Sequence, residues 1–240
     1  MKFKNLAIAA AVFLMSAGVH AQSAGSNVVG AGWLRIAPQT SSDPLVVGGQ
    51  SVPNTGVNAD NADTFGLTFT HFLTDNIALE TVAGIPPKFK FSGTGVLSSA
   101  SINPLGEVRQ WSPSLVLKYY FGRADSRWRP YLGLGVSYIW FTNAHVSSQF
   151  QQALSMQVTH GVTAGLPTSA DVESEWSPVF NAGMSYQFDK HWSAVLSLSY
   201  LPFSTKANLT TKLPNGGEVK SMAKITLDPV ATLVSISYRF

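Results

Sequence analysis

The sequence predicts an all-β chain folded as an eight-stranded antiparallel transmembrane β-barrel, with short periplasmic turns and long extracellular loops. Three observations carry that prediction. Apolar residues recur with period 2, the strand period, through most of the chain. An even number of such segments is joined by connections that are short and long in turn, the pattern of a bacterial outer-membrane barrel. Only 12% of the 240 residues are charged, while 45% are hydrophobic and 11% aromatic. Ordinary soluble domains carry roughly 25% charge. This composition excludes a disordered chain and argues against a charged cytosolic enzyme.

The chain begins like an exported protein. Lys2 and Lys4 precede an apolar run from Leu6 to Gly18, and Val19-His20-Ala21 ends on a small residue before Gln22. Residues 1–21 therefore read as a signal peptide and 22–240 as the mature barrel. The apolar run is shorter than the roughly 20 residues of a spanning helix, and no later run approaches that length. The formal net charge of +3 rests largely on the two leader lysines. Without them no basic patch remains to suggest a nucleic-acid partner. There are no cysteines, so disulfides, thiol nucleophiles and cysteine metal sites are excluded.

Eight alternating segments follow, at about 28–38, 62–73, 77–91, 110–121, 129–141, 176–188, 192–207 and 222–240. The last is the clearest: Val230, Thr232, Val234, Ile236, Tyr238 and Phe240 share one face, and Ala231, Leu233, Ser235, Ser237 and Arg239 the other. Residues 111–121 repeat the pattern, with Trp111, Leu115, Leu117, Tyr119 and Phe121 opposite Ser112, Ser114, Val116, Lys118 and Tyr120. The large aromatic face is expected to meet lipid. A soluble sandwich or lipocalin also alternates, but would turn that face inward and need more charge outside. Residues 74–76, 122–128 and 189–191 are the short turns; 39–61, 92–109, 142–175 and 208–221 are expected as long loops. Trp111, Trp140 and Trp176 lie beside long loops, and Phe121, Trp128, Phe188, Trp192 and Phe240 beside short turns, which predicts two aromatic girdles. Residues 148–158 could form a short helix at the mouth, as a lid.

The terminal Ser-Tyr-Arg-Phe of 237–240 resembles the C-terminal signal of outer-membrane β-proteins, which implies the barrel-assembly machinery as a partner acting through Phe240. Four further stretches resemble the OmpW family of small outer-membrane barrels. They are 66–80 (Gly-Leu-Thr-Phe-Thr, then Leu-Thr-Asp-Asn-Ile-Ala-Leu-Glu), 113–122 (Pro-Ser-Leu-Val-Leu-Lys-Tyr-Tyr-Phe-Gly), 129–136 (Arg-Pro-Tyr-Leu-Gly-Leu-Gly-Val) and 227–240. The long loops 92–109 and 142–175 do not share in the resemblance. It implies a Gram-negative-type envelope, a location in the outer membrane and a narrow apolar channel that passes small hydrophobic molecules.

The interior can be read from parity. An eight-stranded barrel is only wide enough to be filled by side chains or to hold one small ligand, which excludes a general hydrophilic pore. The parity opposite the aromatics places Trp33, Ile139, Phe141, Val179, Leu201, Phe203 and Leu233 as an apolar lining towards the long loops. Towards the short turns it places Glu80, Lys118, Gln187 and Arg239, with Ser193 and Ser237, as a polar plug. Glu80 and Lys118 are expected to pair across adjacent strands. An apolar mouth above a polar floor reads as a pocket for an apolar ligand; the alternative is a packed lumen in a structural or surface-interaction barrel. Pro38, Pro86, Pro87, Pro113, Pro178, Pro202 and Pro229 lie near the long-loop ends of strands. Proline cannot donate to a ladder, so the strands are expected to be interrupted there, opening a sideways exit.

Enzymatic readings are weaker. A lipid-modifying barrel would need Ser and His together, and His191-Trp192-Ser193 stands at a periplasmic turn on opposite parities. His71, His145 and His160 are too dispersed for a metal site, and Asp171, Glu173 and Glu175 read as a solvated loop. No cofactor and no catalytic residue is expected.

Overall fold

The computed structural model describes residues 23–99 and 102–240, so the expected leader lies outside the described residues. Eight strands close the barrel: β1 (Asn27–Ala37), β2 (Ala62–Phe72), β3 (Ile77–Gly84), β4 (Ser114–Tyr120), β5 (Trp128–Val146), β6 (Glu175–Gln187), β7 (Trp192–Tyr200) and β8 (Val230–Arg239). Each pairs antiparallel with the next in sequence, and β8 pairs back onto β1 from Val28↔Arg239 to Ala37↔Val230. Closure leaves no open edge, which is what lets strands cross a membrane with their backbone groups satisfied. Among the described residues no helix is long and apolar enough to cross a membrane.

Period-2 alternation puts the large apolar side chains outside. Leu115, Leu117, Tyr119, Leu132, Leu134, Leu196, Leu198, Val234 and Ile236 are all exposed on the outer wall. Two aromatic belts bound this wall. The upper one contains a stacked Trp111–Trp140 pair at 5.7 Å and Tyr138–Trp176 at 4.8 Å. Trp128–Tyr186 at 4.5 Å and Trp192–Tyr238 at 5.0 Å lie in the lower one. Tyr138 and Trp128 occupy the two belts on one strand, with about the 9–11-residue spacing that a tilted spanning strand requires. The lower turns are tight. At the β6–β7 turn the Asp189 carboxylate accepts the backbone N–H groups of Trp192 and His191, at 2.8 and 2.7 Å. Those bonds hold its pKa below the usual carboxylate range.

Trp33 departs from the expected lining. It is 47% exposed on the outer wall, level with Phe65 and Val234 across the two neighbouring ladders. The inner parity of β1 instead carries Val28, Gly30, Gly32, Leu34 and Ile36. There is no room inside for an indole: a Cβ on Gly30 would already stand 2.7 Å from Ser237 Oγ and in collision with Thr68 Oγ1.

The four long connections are also not loops. Above the upper belt the chain resumes as shorter strands, after breaks at 60–61, 85–87, 112–113, 201–203 and 227–229. One extracellular sheet runs Thr55–Ala59, Lys88–Gly95, Gly106–Trp111 and the top of β5; a second contains Thr168–Val172, Ser204–Lys212 and Glu218–Thr226, with three two-residue strands at Ser41–Ser42, Val46–Val47 and Gln50–Ser51. Proline therefore separates a membrane strand from its extracellular continuation rather than ending it. Pro178 does not interrupt at all, since it lies inside β6 opposite Val136. The helix expected at 148–158 is present as Ser148–Val158, capped by Ser147, whose hydroxyl accepts the Phe150 N–H at 3.2 Å.

One glycine is required by close approach. Gly135 faces inward opposite Val116, and a Cβ there would stand 2.8 Å from Val116 Cα and collide with the Leu115 carbonyl oxygen. Gly135→Val is expected to break the β4–β5 ladder and abolish the compact, heat-modifiable species on gel electrophoresis. A normally migrating folded band would show that the ladder can yield.

Candidate functional site

The interior holds two stacked spaces above a packed floor, and a third space opens in the wall beside them. The uppermost lies between the two extracellular sheets, a cavity of about 90 Å³ lined by Leu45, Val57, Phe91, Leu105, Phe141 and Leu209. The helix Ser148–Val158 packs Phe150 and Leu154 into the same apolar cluster and forms one side of its wall. Beneath it Ile36, Phe89 and Val108 are buried together, with Phe141 against them, as an apolar constriction.

The middle space, about 60 Å³, is bounded by Leu34, Val116, Val179, Leu201 and Leu233. Its polar lining includes Gln110, Ser112, Asn181, Ser197 and Ser199. A third space of about 230 Å³ lies in the wall between β3 and β4, lined by Ile85, Pro86, Trp111, Pro113 and Trp140. The two spaces share Leu34, Ile36, Val82, Gln110 and Ser112.

The backbone explains this side opening. The β3–β4 ladder runs up to Val82↔Ser114 and resumes only at Pro87, whose carbonyl accepts the Gln110 N–H at 3.1 Å, and at Lys88↔Arg109. Between them Pro86 and Pro113 have no N–H to offer. Gly84 and Ile85 remain attached to β2, and Pro113 accepts from β5 through the Tyr138 N–H at 3.3 Å. Both lips are thus held to their outer neighbours and not to each other. The break at 201–203 differs, since Leu201 and Phe203 fill it from inside and the Ser177 hydroxyl donates to the Pro202 carbonyl at 3.0 Å.

The floor is a packed ionic and aromatic layer. Lys118 Nζ lies 2.6 Å from Glu80 Oε1, with side-chain exposures of 1% and 7%. Thr70 Oγ1 donates to Glu80 Oε2 at 2.8 Å, and Lys118 Nζ sits 4.2 Å from the Tyr131 ring centre. The guanidinium of Arg129 lies 5.1 Å from the Tyr120 ring and donates to the Asp75 carbonyl at 2.5 Å. Phe72, Tyr120 and Tyr131 pack ring against ring in sequence, mutually tilted, with centres 5.1 and 4.9 Å apart. The void left beside Glu80 and Lys118 is about 10 Å³. That is at the lower limit for holding one water molecule, so this layer is packed around the ion pair.

Of the lining residues expected from parity, Ile139, Val179, Leu201, Phe203 and Leu233 are buried inside and Phe141 partly so. The plug is built differently. Glu80 and Lys118 form its centre, but Gln187 lies at the lower rim, donating weakly to the Ala124 carbonyl at 3.5 Å, and Arg239 binds the Lys190 carbonyl in the β6–β7 turn. Both are too close to the strand ends to reach the layer. Arg129 and Tyr131 take their place; they share the parity of Ile139, a signal that could have identified them. Gln110 was equally legible, since it shares the inner parity of Ser112 and Ser114. His191 stacks on Tyr238 at 5.7 Å outside the wall while Ser193 is buried within it.

The comparisons agree with this architecture. The crystal structure of outer membrane protein OprG from Pseudomonas aeruginosa superposes with a TM-score of 0.78, covering 93% of this chain and 99% of that one at 24% identity. Outer membrane protein W of Vibrio cholerae is 30% identical over 236 residues, 98% of this chain and 97% of the relative. The dibenzothiophene metabolism operon protein PahQ of Pseudomonas aeruginosa is 26% identical over 202 residues, 83% of this chain and 82% of the relative. Residues 23–240 match the OmpW family, and with a closed eight-stranded wall carrying both aromatic belts the chain belongs to that family as an outer-membrane β-barrel.

Proposed function

We propose that this barrel is a non-catalytic conduit that admits small hydrophobic molecules at its extracellular mouth and releases them sideways into the bilayer. The observation that carries this reading is the sharing of five residues between the middle space and the wall opening, above a floor whose void is only about 10 Å³. A molecule descending through the apolar constriction meets the Glu80–Lys118 layer and has one way to go, between β3 and β4. The upper space is almost wholly apolar, which favours an apolar solute over a sugar or an ion. The naming of one relative for a dibenzothiophene metabolism operon is in keeping with apolar aromatic cargo. Export by the leader 1–21 and insertion by the barrel-assembly machinery through Phe240 belong to the same proposal.

The test compares uptake by cells with and without the protein, using a small apolar solute and a sugar of similar size. The apolar solute alone should enter faster, and Leu201→Asp or Phe203→Asp should return it to background by placing a charge in the column. Equal entry of both solutes would mean a water-filled pore and overturn the reading. No effect on either would leave a packed anchor.

A further inference from the structure

The extracellular sheet above the wall opening carries more positive than negative charge on its outer face. Alternation buries Phe89 and Val108 inside and turns Lys88, Lys90, Glu107 and Arg109 outward. The registers set these side chains in two rows. Lys88 lies opposite Arg109 and Arg109 opposite Thr142; Lys90 lies opposite Glu107 and Glu107 opposite His145. Glu107 is taken by Lys88, whose ammonium is 2.5 Å from its Oε1. Asp60 borders the group, its N–H donating to the Lys90 carbonyl at 3.0 Å. Lys90 and Arg109 form no ion pair among the described residues.

Height above the bilayer gives these cations their partner. Trp111 and Arg109 share one face of a strand, two residues apart. The Lys88–Arg109 row therefore stands roughly 7 Å above the Trp111–Trp140 stack. Belt tryptophans sit at the level of the lipid headgroups. Basic side chains at this height attract anionic lipids.

The wall opening lies directly beneath. Its 230 Å³ is lined by Ile85, Pro86, Pro87, Trp111, Pro113 and Trp140, and Lys88 follows Pro87 in the chain. A recess this apolar offers water few partners, so hydrocarbon fills it. Its volume exceeds the roughly 150 Å³ cavity known to hold benzene, which is room for a stretch of acyl chain. Any lipid supplies the chain. Only an acidic headgroup also meets Lys90 and Arg109, and the guanidinium fork matches phosphate oxygens. A zwitterionic headgroup brings its own cation and gains less.

The geometry points to a binding site for one acidic, phosphate-bearing lipid of the outer leaflet, its phosphate on Lys88, Lys90 and Arg109 and an acyl chain in the opening between β3 and β4. The lipid seals that opening and is displaced when a solute leaves. Its binding stands on the recess and the charges; its use as a seal rests on the conduit reading.

Native mass spectrometry of the full barrel, released from detergent micelles, measures retention of dioleoyl phosphatidic acid against dioleoyl phosphatidylcholine, which has the same chains. One molecule of phosphatidic acid should be held about tenfold more tightly. Lys90→Gln/Arg109→Gln should bring the two lipids to within about twofold, and it strands no acidic partner. Ser112→Phe, whose ring enters the opening, should weaken both lipids alike. Inorganic phosphate, which has no chain, should fail to displace the lipid at equal concentration. Equal retention of the two lipids overturns the inference without any variant having to fold. A preference that survives Lys90→Gln/Arg109→Gln overturns it as well. Displacement by inorganic phosphate, or unchanged retention in Ser112→Phe, would leave an anion contact with no chain in the wall and overturn it too. Selective retention without apolar uptake by cells would keep this site and sink the conduit; uptake with equal retention would do the reverse.

Discussion

Lys118→Met is expected to destabilise the folded barrel by about 3–5 kcal/mol, whereas Glu80→Gln/Lys118→Met should cost far less. The asymmetry follows from where the pair sits. Both side chains are withdrawn from solvent, and their contact at 2.6 Å is what compensates the loss of hydration. Removing the ammonium strands the Glu80 carboxylate, for which the single bond from Thr70 is no substitute. It also removes the cation from the face of Tyr131, an interaction worth about 2 kcal/mol when desolvated. Removing both charges leaves a neutral amide beside a flexible thioether, which this layer can pack. Equilibrium urea unfolding in vesicles of one lipid composition, followed by gel mobility, would measure both variants. Equal losses in the single and the double variant would show that the pair is not the element closing the floor.

That floor was legible in part, and the gaps have physical causes. Glu80 and Lys118 could be paired in advance because each lies three residues from its turn on adjacent strands. Arg129 is harder to read, because an arginine next to a turn ordinarily points into solvent, and only the rings of Phe72 and Tyr120 beside it explain its burial. The side taken by Trp33 is not legible from alternation, because β1 is apolar on both faces, with Val29 and Ala31 outside and Val28 and Leu34 inside. The sign comes from Gly30 and Gly32, whose missing side chains mark the crowded face. The extracellular strands were hidden for another reason. They stand above the lipid, where neither face must be apolar. A segment such as Ser204–Lys212 therefore offers no strong contrast, and its flanking prolines read as a loop boundary. Prolines at 86 and 113 did indicate a weak wall, but only the ladder registers show that β3 and β4 part company while their outer neighbours hold on.

Ser112→Phe is expected to return apolar uptake to the level of cells lacking the protein while leaving a normally folded barrel. Ser112 faces the point where the middle space meets the wall opening, and it follows Trp111 on the lip fixed to β5. Its side chain appears in none of the hydrogen bonds described, so its replacement strands no partner. A phenyl ring at this position projects into the neighbouring 230 Å³ of apolar space, where it is stabilised by contact with Ile85 and Pro113. The upper space, the constriction and the floor are untouched. A solute would still enter from outside but would find the junction occupied. A direct path through the floor would be indifferent to the same ring. Uptake measured on Ser112→Phe therefore separates the two exits: loss of entry places the route between β3 and β4, and unchanged entry sends it through the Glu80–Lys118 layer and removes the sideways mechanism.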